Sequence, residues 1–265
     1  MNPLHFGIGQ ALILFLLGAL ASGINAVAGG GSLITFPALT VGFQLPSNIA
    51  NATNSVALWP GSMAGAIGFW NLIPKTAKYF RLLVVPTILG SIVGAELFIH
   101  SSTRMFDRVI PWLILLAASL LLFQPKVKSY AFKHGATMSP VVGAIIQFFV
   151  AVYGGYFGAG MGIMMLAAFA LFMEGTIHEL NAVKSWLGLV INFAASIMFV
   201  FQGLINPYVA ISLTLGSIVG GFYAAKVSQK VNPDKMRLVI AAYGIVAAMY
   251  FMYKAFRPPS WPSLG

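Results

Sequence analysis

Cysteine is absent from the 265 residues, and acidic side chains number only five. The first absence excludes disulfides, thiolate metal sites and cysteine nucleophiles, and leaves the redox compartment undetermined. The second belongs to a chain that is only 8% charged and 59% hydrophobic, whereas about a quarter of a soluble domain is charged. An ordinary soluble fold is thereby excluded. There is no ATP-binding motif and no G-x-S-x-G pattern at Ser32, and His5, His100, His134 and His178 are scattered along the chain. No catalytic residue, metal site or cofactor is therefore expected, and the chain does not read as an enzyme. The net charge of +10 does not point to nucleic acid, because Lys and Arg fall in short connections and do not interleave with aromatics on one surface.

What the chain does have is apolar sequence. Stretches long enough to cross a hydrocarbon core of about 30 Å recur from end to end, separated by short polar loops. Continuous spans are predicted over 48–70, 82–99, 109–123, 180–202, 208–227 and 238–253. The first apolar stretch lacks a basic leading segment and runs into Gly29-Gly30-Gly31 rather than a cleavage site, so it reads as retained. Two segments, 6–42 and 139–173, are too long for one span, and each is interrupted by glycines.

These two segments match. Setting Gly23 on Gly154 also sets Ala28 on Ala159, Gly29 on Gly160 and Gly31 on Gly162, at a constant offset of 131. Further on, Leu89-Gly-Ser-Ile-Val-Gly94 recurs as Leu215-Gly-Ser-Ile-Val-Gly220. An internal duplication follows, with a first repeat over 1–125, a linker over 126–138 and a second repeat over 139–265. If each broken segment doubles back as a hairpin, the remaining three helices make the crossings odd and the halves inverted. That arrangement gathers Lys75, Lys78, Arg81, Lys126, Lys128, Lys133, Lys226, Lys230, Lys235 and Arg237 on one side, against Arg104, Arg108, Lys254 and Arg257 on the other, ten against four. Parallel halves would give eight against six, which the positive-inside tendency disfavours. The expected fold is all-α and polytopic, with two inverted repeats, each a re-entrant hairpin plus three transmembrane helices. Both termini then lie outside the cytoplasm and the linker inside.

Broken backbone at membrane depth is tolerated where it lines protein or a watery cavity. Half-helices starting near Ser32 and Gly162 would aim N–H groups and positive dipole ends into such a cavity, which suits an anion. Gly29, Gly30, Gly31, Gly158, Gly160 and Gly162 let a solute approach the backbone closely. Gly90-x-x-x-Gly94 and Gly216-x-x-x-Gly220 are read instead as helix-packing motifs. The following spans open with polar residues: Asn51, Thr53 and Asn54 in the first half, and Lys184, Ser185 and Asn192 in the second. Neutral amides with one cation suit an oxyanion better than a cation. Lys184 can equally snorkel to the interface, and Asn25 can either add an amide to the cavity or cap the broken helix. Glu174, His178 and Glu179 are assigned no role.

Asn25-Ala-Val-Ala-Gly-Gly-Gly-Ser-Leu-Ile-Thr-Phe-Pro37, followed by Ala50-Asn-Ala-Thr-Asn-Ser55, resembles the first signature of the TauE/SafE sulfite-exporter family. Gly154-Gly-Tyr-Phe-Gly-Ala-Gly-Met-Gly162, followed by Ala182-Val-Lys-Ser185, resembles the second. The second departs from the usual pattern, with Met161 inside the glycine run and Ala168 near the position that matches Pro37. The resemblance covers essentially the whole chain. It implies a secondary transporter that moves small sulfur-containing anions such as sulfite, sulfoacetate or other organosulfonates outward across the cytoplasmic (inner) membrane. An anion channel and a membrane scaffold or assembly factor are the alternatives. The expected partners are the lipid bilayer and a small anionic substrate; a coupling ion, H+ or Na+, and a homo-oligomer are left open.

Overall fold

A computed structural model describes residues 7–27, 30–67, 70–134, 138–228 and 233–256, and the regular structure among them is helical. The first half contains α1 (Ile8–Val27), α2 (Ser32–Pro37, prolonged by a π-helical turn over Ala38–Gly42), α3 (Ser47–Ile67), α4 (Ile73–Ile99) and α5 (Thr103–His134). The second repeats the series as α6 (Pro140–Tyr156), α7 (Met161–Phe172), α8 (Ile177–Phe201), α9 (Pro207–Ser228) and α10 (Pro233–Phe256). By length and composition, Ile8–Asn25, Pro74–Ile99, Thr103–Lys126, His178–Phe201 and Asp234–Phe256 can each cross a membrane. α3 is not among them, because Asn48, Asn51, Thr53, Asn54 and Ser55 lower its hydropathy. The apolar part of α9, Pro207–Tyr223, is shorter.

Local chemistry sets the helix ends. Ser139 accepts a hydrogen bond from the Val142 N–H ahead of Pro140 in the first turn of α6. Thr176 and Glu179 form a reciprocal capping box at the start of α8. The two breaks are made by left-handed backbone, with φ +87° at Gly30, +80° at Gly158 and +78° at Gly160; a side chain in that region costs about 1–2 kcal/mol. α2 starts at Ser32 as expected, and α7 starts at Met161, one residue before the expected position. α5 differs from expectation. It is longer than the span predicted over 109–123 and stays helical to His134, through most of the segment read as a linker.

The halves interlock. A Cβ on Gly216 would lie 1.8 Å from the Phe15 carbonyl oxygen and one on Gly220 2.0 Å from that of Ala19. α1 and α9 therefore touch backbone to backbone and run in the same direction. Gly90 and Gly94 do the same against Phe148 and Val152, at 2.4 and 2.0 Å, so α4 and α6 also run together. The packing role expected of both glycine motifs is the one they have, and each motif serves a helix of the other half. α3 and α8 run oppositely, since Trp59 stacks on Phe193 while Trp70, further along, meets Trp186. α5 and α10 also cross in opposite senses: Gly30 touches both Leu121 and Ile240, while Ala118 meets Gly244. The Met138 N–H donates to the Leu171 carbonyl at 2.9 Å and Gly143 abuts the Phe172 ring, so α7 ends beside the start of α6.

Candidate transport site

At the first break the Asn25 side chain turns back on its own chain. Its Oδ1 accepts the Gly31 N–H at 2.7 Å, which gives this residue the capping role and occupies one of the N–H groups expected to face a solute. Gly31 is held there by contact, since a Cβ would fall 2.2 Å from the Ala21 carbonyl oxygen. One turn along α2, the buried Thr35 hydroxyl donates to Asn54 Oδ1 at 2.5 Å and also lies 3.3 Å from the Gly31 carbonyl. Ser32 is half-buried at the head of α2. Gly29 lies outside the described residues.

Asn51 and Thr53 reach other elements. Asn51, 2% exposed, donates through Nδ2 to the Tyr156 carbonyl at 3.1 Å, linking α3 to the second break. Thr53 accepts the Asn206 N–H at 2.9 Å and so ties α3 to the α8–α9 connection.

At the second break Tyr153 donates its phenol hydrogen to the Ala159 carbonyl at 2.6 Å. Gly158 and Gly160 supply the turn, and a Cβ on Gly160 would lie 3.2 Å from Ala117 of α5. The Lys184 alkyl chain runs along Gly162, 3.5 Å from where a Cβ would stand, and its Nζ donates to Asn181 Oδ1 at 2.9 Å. Ser185 and Asn192 are half-buried on α8.

The two clusters are related by the repeat. Asn51-Ala-Thr-Asn-Ser55 matches Asn181-Ala-Val-Lys-Ser185 at an offset of 130, so Lys184 is the counterpart of Asn54. Each lies over the half-helix of its own half: Asn54 over Thr35, and Lys184 over Gly162. They are not side by side. Asn54 comes five residues before Trp59 and Lys184 nine before Phe193 on oppositely directed helices, a separation of about 20 Å at 1.5 Å per residue. Sequence reasoning passed over Thr35 and Tyr153, which nothing in the sequence marked, whereas Asn181 stands with Lys184, Ser185 and Asn192 among the polar residues that open the span of the second half. Among the described residues no group of His, Cys, Asp and Glu could hold a metal ion.

A "Probable membrane transporter protein" of Haemophilus influenzae is 28% identical, over 94% of this chain and 97% of its own length. The "Probable membrane transporter protein YfcA" of Escherichia coli K12 is 23% identical, over 96% and 91%, and the "Probable membrane transporter protein YunE" of Bacillus subtilis is 23% identical, over 92% and 97%. No solved structure matches the chain. The family model described as sulfite exporter TauE/SafE matches residues 14–251, nearly the full helical array, and the chain belongs to that family.

Proposed function

We propose that this protein exports small sulfur-containing anions, namely sulfite, sulfoacetate or related organosulfonates, through the cytoplasmic membrane. It does so by alternating access at a midplane site between the two broken helices, with repeats over 1–125 and 139–265 inverted in the membrane. The observation that carries the reading is the convergence of both breaks on the α5–α10 crossing. Gly160 rests on Ala117, Gly30 touches Leu121 and Ile240, and Ala118 and Gly244 meet between them. Support for inversion comes from helix directions. α1 shares its direction with α9, and α6 with α4, while α3 opposes α8 and α5 opposes α10; a chain that alternates between crossings satisfies all four only if the halves point opposite ways.

Oxyanion selectivity rests on the donors present. These form two sets along the path: the buried amides Asn51 and Asn54 with Asn25 and Ser32 beside Gly30 and Gly31, and the cation Lys184 with Ser185 and Asn192 beside Gly158, Gly160 and Gly162. Thr53 acts on this set by fixing α3. Exit of an anion is favoured by a negative-inside potential, by about 2.3 kcal/mol per charge per 100 mV, so export needs little further drive. The test uses purified protein in liposomes loaded with radiolabelled sulfite or sulfoacetate. Saturable efflux is expected, reduced at least tenfold by Lys184→Ala and by Asn51→Ala. Wild-type efflux from both variants would discard the site, non-saturating flux would indicate a channel, and failure of any sulfur oxyanion to move would discard the substrate class.

A further inference from the structure

Aromatic rings from both halves lock together at one end of the molecule. Phe36, on half-helix α2, sits edge-on to Phe157 at 5.5 Å between centroids and to Phe106 at 6.5 Å, and tilted against Phe251 at 5.7 Å. Phe106 in turn meets Phe98 at 4.9 Å, and Phe98 meets Phe199 at 5.0 Å. These side chains are at most 5% exposed. They come from α2, α4, α5, α8, α10 and the α6–α7 break, so both halves contribute rings to one cluster. Tyr156 adds a further ring against Phe106, with its hydroxyl 3.3 Å from Ser101 in the α4–α5 connection. That contact fixes which end this is.

The opposite end does not repeat the arrangement. The glycine register sets Ala167 where the first half has Phe36, and the Leu-Gly-Ser-Ile-Val-Gly register sets Ala224 where it has Phe98. Val109-Ile110 and Ala117-Ala118 recur as Val239-Ile240 and Ala247-Ala248, which matches Phe106 with Met236 and Phe251 with Leu121. The duplicated chain therefore has no copy of this cluster at the other end, where the ring pairs are different ones, Phe169–Phe172 at 5.8 Å and Trp70–Trp186 at 5.3 Å.

We propose that these rings are the outer gate of the transporter. In the conformation seen here they close the path between the site and the exterior, so that the anion enters from the cytoplasmic side. This rests on the orientation proposed above, in which the α4–α5 connection is external. A hydrated anion cannot pass between packed hydrocarbon faces without losing water it cannot replace. Opening therefore requires Phe36 to part from Phe106 and Phe157. Phe157 directly precedes Gly158, whose φ is +80°, so a rotation at this break carries its ring away while α2 carries Phe36.

The native chain has no cysteine, so single introduced thiols report access cleanly. In intact cells, Asn54→Cys should resist a membrane-impermeant thiol reagent while the rings are native. It should react at least tenfold faster when Phe36→Leu or Phe106→Leu is added, since leucine keeps apolar volume but removes the ring. Phe149→Leu, on an outward-facing ring 64% exposed, should leave the rate unchanged. Equal external rates with native and leucine gates, or no reaction in the leucine variants, would overturn the gate. Val41→Cys, exposed at the ring end, tests orientation separately. Reaction from outside supports the outer assignment, whereas reaction only after cytoplasmic exposure of the reagent would overturn the orientation and the word "outer" with it.

Discussion

Asn25 shows how one side chain can hold a helix break together. Its carbonyl oxygen supplies the acceptor that the Gly31 N–H lacks once α1 has ended. Tyr153 supplies the converse service at the second break, a donor for the Ala159 carbonyl. The repeats thus stabilise equivalent breaks with unrelated residues and with bonds of opposite sense. Asn25→Ala should lower stability by about 0.5–2 kcal/mol, the range for losing a helix cap, read as a lower unfolding temperature in detergent. Asn25→Asp retains the acceptor and should recover most of the loss. A neutral Asn25→Ala would mean that the Gly31 N–H finds water instead.

At the scale of helices, glycine carries the architecture. The two hexapeptide copies bring α9 onto α1 and α4 onto α6 at backbone contact, so any side chain there separates a whole pair. Gly216→Val, with its Cβ position 1.8 Å from the Phe15 carbonyl, should abolish folded protein in detergent, as judged by size-exclusion recovery. Gly203→Ala should not, because nothing lies near its Cβ position, though its φ of +65° leaves a cost of about 1–2 kcal/mol. These motifs, the breaks and the starts of both half-helices were legible in the sequence because glycine is conspicuous in an apolar chain. The partners were not. A sequence shows that Gly90 and Gly216 are equivalent, but not that each packs against the other half. Nor could Asn51 be matched to the Tyr156 carbonyl 105 residues away. The extension of α5 was hidden for a different reason: Lys126, Lys128 and Lys133 read as a polar connection, yet lysine is a good helix former and no glycine intervenes before Gly135. The Thr176-x-x-Glu179 box is in plain view in the sequence, yet nothing around it there assigns Glu179 a role.

For the whole molecule, orientation is the property that decides function, because it distinguishes an exporter's entrance from its exit. The basic residues weigh ten against four in favour of a cytoplasmic location for the segment that joins α9 to α10. A single cysteine placed at Gln229, between the two helices, should therefore react with an impermeant thiol reagent in inside-out vesicles and remain unlabelled in intact cells. Labelling in intact cells would turn the molecule over.

The exchange of partners between halves also has a consequence in time. α1 enters the membrane early, yet the glycines that receive it at Gly216 and Gly220 are made about 200 residues later, roughly 10–40 s at ordinary synthesis rates. During that interval α1 has only α2 and α3 beside it, through Gly31 on Ala21 and Gly61 on Ser22, and no chain cut short before α9 can supply its main partner. The nascent protein must hold its first helix in waiting, covered by lipid or by a chaperone, until almost the last part of the chain arrives to claim it.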